Sequence, residues 1–122
     1  MFRTLIVVAA VALSSPVLAH SKLVTSNPSA NATVGKTAKV VLVFNEKLMP
    51  PFSGATVTMT GMPGMANHAP MKMPATSAMG KDGKTMTITL ARPLPAGNYT
   101  VEWRAAGSDM HKMNGSYSFT VK

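Results

Sequence analysis

The sequence contains no cysteine, so a domain built from it must hold together by packing and hydrogen bonding, without a disulfide framework or thiolate metal ligands. Acidic residues are scarce too: four Asp or Glu stand against twelve Lys or Arg, a formal charge of +8. The basic residues are scattered and aromatics make up only 6% of the chain, which removes the basic runs and stacking platforms of a nucleic-acid binder. What remains to explain the charge is surface solubility or attraction to an anionic partner. No apolar run reaches the length of a membrane-spanning helix, and no segment carries the periodicity of an amphipathic helix.

Residues 1–19 read as an export signal. Arg3 supplies a positive start, residues 5–13 an apolar run, and Val17-Leu18-Ala19 a small-residue cleavage site. Cleavage would leave a single domain, residues 20–122, beginning at His20 and carrying no span of its own.

Within that domain short segments alternate apolar and polar residues between turn-forming clusters, as half-buried antiparallel strands do. Val40, Leu42 and Phe44 alternate with Val41 and Val43, a strand covered on both faces. Met86, Ile88 and Leu90 share one face, as do Tyr99, Val101, Trp103 and Ala105, and Tyr117, Phe119 and Val121. Weaker candidates lie at 22–26, 33–34 and 55–60, making about seven strands. Asn27-Pro28, Asp82-Gly83 and the segment 94–98 supply turns. The expectation is an all-β Greek-key sandwich or barrel with Trp103 in its core and residues 61–80 as one long surface loop.

That loop is where methionine concentrates. Met59, Met62, Met65, Met71 and Met73 surround His68, separated by Gly, Pro and small residues that cannot build a core. Thioethers are soft, neutral ligands that select Cu(I), and one imidazole is compatible with them. The bland alternative is a gap-filling patch or a methionine-rich partner surface. Met59 shares the face of Val57 and is open to a core reading, Met73 is a spare or entry ligand, and Met86 follows the inward parity of its strand.

A second ligand set is harder. Cleavage would give His20 a free amine beside its imidazole, a chelating pair for Cu(II). Asp109 and His111, two residues apart, would project to one side of an extended backbone, and Glu46 is a further oxygen donor.

Taken in order, several stretches of this chain resemble the landmarks of the periplasmic CopC-type copper-resistance proteins. They are His20 after Ala19, Phe44-Asn45-Glu46-Lys47-Leu48, Phe52-Ser53-Gly54-Ala55 and the run from Met59 to Met65 with His68 and Met71. Leu94-Pro95-Ala96-Gly97-Asn98-Tyr99 through Trp103-Arg104, and Ser108-Asp109-Met110-His111, complete the set. The resemblance implies a cupredoxin-like, immunoglobulin-like β-barrel that carries copper without catalysis, with Cu(I) and Cu(II) sites at opposite ends. It puts Met59, Met62, Met65, His68 and Met71 on the Cu(I) loop and His20, Asp109 and His111 at the Cu(II) site, with Glu46 as an additional ligand. It also implies exchange with an inner-membrane copper-transport protein, by a monomer or weak dimer. Met110 and Met113, on either side of His111, depart from the pattern. Two other classes stay open: a copper monooxygenase using a His20 brace, and a metal-free immunoglobulin-like interaction module. The inward parity of Tyr99, Trp103, Tyr117 and Phe119 leaves the first without an aromatic substrate face.

Overall fold

Strands form where the alternation is. In the computed structural model, which describes residues 22–62, 64 and 69–122, nine strands occur among the described residues. They are β1 (Leu23–Asn27), β2 (Thr33–Val34), β3 (Lys39–Phe44), β4 (Gly54–Gly61), β5 (Met71–Lys72), β6 (Ala75–Met79), β7 (Thr85–Leu90), β8 (Gly97–Ala106) and β9 (Lys112–Val121). One sheet has the order β1-β3-β7-β6 and the other β2-β9-β8-β4-β5. Every pairing is antiparallel except β2 with β9. The only helical element among the described residues is a 3-10 turn at Pro50–Phe52.

The period-two pattern turns one side of each long strand inward. Val40, Leu42 and Phe44, Met86, Ile88 and Leu90, Val57 and Met59, Tyr99 and Val101, and Phe119 and Val121 together form the core. Val41 and Val43 are half-buried, so the second face of β3 is only partly covered. Trp103 lies at the core's margin and not in its centre: it is half-buried and meets Phe44 edge-on at 5.3 Å between ring centroids. Tyr99 stacks on Phe119 at 5.5 Å, and its hydroxyl donates to the Pro95 carbonyl, fixing the turn that feeds β8. This is the arrangement of a tyrosine corner.

The expectation that residues 61–80 form one long surface loop needs correction. The stretch is not one loop, because β5 and β6 lie within it. β6, with the sequence Ala-Thr-Ser-Ala-Met, carries almost no hydrophobic alternation and is exposed along most of its length. It is a strand because its backbone pairs with β7 from Ala75↔Leu90 to Met79↔Met86, and such non-local pairing has no local signature.

Register defines the two ends of the sandwich. β8 runs from Gly97, beside Gly61 and Val121, to Ala106, beside Lys112. β4 therefore ends at one end of the sandwich, at Gly61, and the β8–β9 hairpin closes the other. At the first end β4 has a register irregularity between Met59 and Gly61. Gly97 is required there, since a Cβ on it would lie 2.5 Å from the Gly61 carbonyl oxygen.

Candidate metal centres

Ser108-Asp109-Met110-His111 forms the tip of the β8–β9 hairpin, and its backbone is not extended. Met110 adopts a left-handed conformation with φ 67°, and its N–H donates to the Gly107 carbonyl at 3.0 Å. The fold of the turn, not strand parity, brings Asp109 and His111 together. The Asp109 carboxylate accepts from the His111 backbone N–H at 3.1 Å and from Nδ1 of the ring at 2.8 Å. An aspartate side chain bonded to the backbone two residues on is a self-stabilising turn. These two hydrogen bonds, the ring's first, hold the Asp109 carboxyl below its usual range. With Nδ1 on the carboxylate, the Nε2 edge of the ring faces the opposite way, the orientation in which metal-binding histidines are commonly held.

Neighbouring chain comes to this end from both sides. Leu48 bridges to Gly107, and the Met49 N–H donates to the Ala106 carbonyl at 2.8 Å, which draws the segment containing half-buried Glu46 alongside the hairpin. Lys22, two positions after His20, is pinned to Asn45 by two hydrogen bonds, its N–H to Oδ1 at 2.8 Å and its carbonyl from the Asn45 N–H at 3.0 Å. His20 itself lies outside the described residues, as does the signal segment. Among the described residues no three His, Cys, Asp or Glu converge. Asp109 and His111 supply two donors, fewer than the four a tetragonal Cu(II) centre takes, so the donor chemistry fits copper only with ligands from beyond the described residues. Met110 is 51% exposed at the turn, and Met113 is half-buried opposite Ala105.

At the other end the thioethers divide by environment. Met59 is 3% exposed and belongs to the core. Met71 sits opposite it across the β4–β5 pair, on the same side of the sheet, yet is 54% exposed because β5 is the sheet's last strand. Met73 is half-buried against the core, and its N–H donates to the Val57 carbonyl at 2.8 Å. Met62 is 38% exposed at the end of β4. Met65 and His68 lie outside the described residues. Met62 and Met71 are thus the accessible sulfurs on the described chain at this end, with Met73 beside them.

One feature here was invisible in the sequence. An apolar cavity of about 590 Å³ opens between Met73-Pro74 and the connection from Leu90 to Pro95. Its lining comes from stretches far apart in the chain, and its only collective sequence trace is the proline content of residues 93–95.

Exposed apolar groups elsewhere are few. Val24, Phe52 and Met110 complete the large ones among the described residues, and Phe52 lies under the Lys112 ammonium at 5.5 Å. Tyr99 and Phe119 are buried and Trp103 and Tyr117 half-buried, as their inward parity requires. No helix of the described chain is long and apolar enough to cross a membrane.

Comparison with known proteins agrees with this architecture. A CopC domain family model matches residues 23–122. The chain is 50% identical over 105 residues to copper resistance protein C of Escherichia coli, covering 86% of this chain and 83% of the relative. It is 47% identical over 119 residues to copper resistance protein C of Xanthomonas campestris pv. juglandis, covering 98% and 93%. The crystal structure of PcoC, a methionine-rich copper resistance protein from Escherichia coli, superposes with a TM-score of 0.78 at 48% identity, over 85% of this chain and 100% of that one. With the family matched across both ends of the sandwich and these identities sustained over most of each relative, the chain belongs to the CopC domain family.

Proposed function

We propose that this chain is an exported copper carrier of a copper-resistance system, holding Cu(I) on thioethers at one end and Cu(II) on nitrogen and oxygen donors at the other. It binds and hands on the metal without catalysing a reaction. The observation that carries this reading is the separation of two donor sets of different softness: Met62, Met71 and Met73 around one end of β8, and the Asp109–His111 pair at the other. Met65 and His68 would complete the soft set, His20 with its amine the hard set, and Glu46 would be a further oxygen donor. Soft thioethers favour Cu(I), and imidazole, amine and carboxylate favour Cu(II).

The geometry limits how such a carrier works. β8 is ten residues long, so the two ends are about 30 Å apart at roughly 3.3 Å per residue. An ion that changes oxidation state cannot shift between donor sets by side-chain motion. It must dissociate and rebind, or pass through a partner. Copper would therefore enter and leave in different oxidation states at different faces, with an inner-membrane transport protein as one exchange partner.

The test is a pair of titrations on the exported protein cleaved before His20. One Cu(I) and one Cu(II) should bind together, and replacing Met62, Met65 and His68 jointly should abolish tight Cu(I) binding while sparing Cu(II). Cu(II) uptake that is the same with and without the cleaved N-terminus would remove His20 from the site.

A further inference from the structure

The carboxylate side chains of this protein are sorted along its long axis, while basic residues occur at both ends. All four carboxylate side chains lie away from the methionine end: Glu46, Asp82 and Asp109 at the hairpin end and Glu102 midway along β8, opposite Thr56 and Ser116. The methionine end carries exposed Lys36, Lys39, Lys72 and Arg92 with no Asp or Glu side chain among them. The ion pair of Asp109 with His111 is at the far end. Four cations with no Asp or Glu side chain beside them make the potential at that face positive.

The same face holds the 590 Å³ apolar cavity, and Arg92 is part of its wall. Backbone hydrogen bonds fix the neighbourhood: Leu94 N–H to the Thr37 carbonyl and Leu90 N–H to the Ala38 carbonyl, each 2.8 Å, tie the segment of Lys36 and Lys39 to the segment of Arg92. Ala91 N–H to the Pro74 carbonyl, 2.9 Å, ties in the strand pair carrying Lys72 and Met73. The cavity is therefore a concave apolar socket inside a basic rim.

We propose that this end docks an acidic segment of a partner protein, which seats an apolar side chain in the cavity between Met73 and Pro95 and places its carboxylates on Arg92 and the flanking lysines. Charge complementarity selects the acidic partner, and the concavity selects a protein segment over a lipid surface, since a bilayer offers no side chain to fill it. Met73 is in the cavity wall and exposed Met71 precedes it by two residues, so a docked partner would meet thioethers directly. The inference rests on the carrier reading for its purpose, but not for its geometry.

The experiment uses the copper-free exported protein, labelled with nitrogen-15, and a synthetic peptide repeating Glu-Glu-Leu. Amide shifts should concentrate at residues 36–38, 72–73, 91, 92 and 94, and affinity should fall about tenfold between low and physiological salt as the charges are screened. Reversing two rim charges, Arg92→Glu with Lys36→Glu, should weaken binding at least about tenfold, because both residues are exposed and make the rim rather than the core. Shifts centred on the Asp109 hairpin, unchanged affinity in the reversed variant, or displacement of the peptide by phosphatidylglycerol vesicles would each overturn the proposal, the last in favour of lipid. Cu(I) affinity of the same variant, measured separately, reports on the thioether reading alone.

Discussion

Trp103 and Gly115 face each other across the β8–β9 pair, and the indole occupies the space a side chain at 115 would need: a Cβ there would lie 2.5 Å from Cζ2. The hydrogen of glycine is what lets the tryptophan lie against the sheet and reach Phe44. Gly115→Ala should therefore expel or tilt the indole and destabilise the fold by about 1–3 kcal/mol, the usual cost of overpacking. Urea unfolding of the variant checks this, and an unchanged midpoint would show that the ring shifts without cost.

Asp109 acts on His111 at two points, so Asp109→Asn tests positioning with little change of shape. The amide can still accept from the backbone N–H, but the charged contact to Nδ1 is lost. Loss of such a partner lowers metal affinity by roughly 10–100-fold. Cu(II) affinity should fall within that range while Cu(I) affinity holds, and a Cu(II) affinity equal to that of the parent would show that the carboxylate neither binds nor orients.

Burial separates Met59 from the other methionines. Met59→Leu keeps the volume of a core side chain and should cost less than about 1.5 kcal/mol, leaving Cu(I) affinity unchanged. Met71→Leu, at an exposed position on the edge strand, should do the reverse, weakening Cu(I) binding with little effect on the unfolding midpoint. A loss of Cu(I) affinity in the Met59 variant would mean that the core opens to the metal.

Acid should act on two aspartates. Asp82 accepts from the Lys84 and Thr85 N–H groups at 2.9 and 3.0 Å and from the Thr85 hydroxyl at 2.8 Å, bonds that hold its carboxyl below 3.8; Asp109 is held below 3.8 by His111. A carboxylate whose folded pKa is depressed contributes stability that is complete above its unfolded value and is lost as pH falls through the folded one. Both contributions should thus be intact at neutral pH and disappear only below the ordinary aspartate range, each turn loosening at its own folded midpoint. Carboxyl-carbon NMR titration reads the two midpoints, and a midpoint above the ordinary aspartate value would contradict the turn geometry.

The tyrosine corner gives a further check on packing. Tyr99→Phe keeps the stacked ring on Phe119 and removes only the donor to the Pro95 carbonyl, which should cost about 1 kcal/mol. A neutral result would show that water replaces the bond at the exposed Pro95 turn.

The sequence by itself determined the all-β class, the long strands and most of the core. Inward parity in β3, β7, β8 and β9 follows from alternation, and alternation is local. It also determined the ligand chemistry, because softness belongs to the side chain wherever it sits. Tertiary structure decided what depends on distant partners. β6 became a strand through β7, Met59 went inside while its cross-strand neighbour Met71 stayed out at the sheet edge, and a left-handed Met110 joined Asp109 to His111 where an extended backbone was expected. The same pairing sorted the carboxylates: those at 46, 82 and 109 are far apart in the chain, and only the packing of three connections at one end gathers them there, away from the basic residues of the methionine end. Local pattern fixes which way a side chain points relative to its own strand; which neighbours it meets is set by strand order and register, and those come from contacts made across the whole chain.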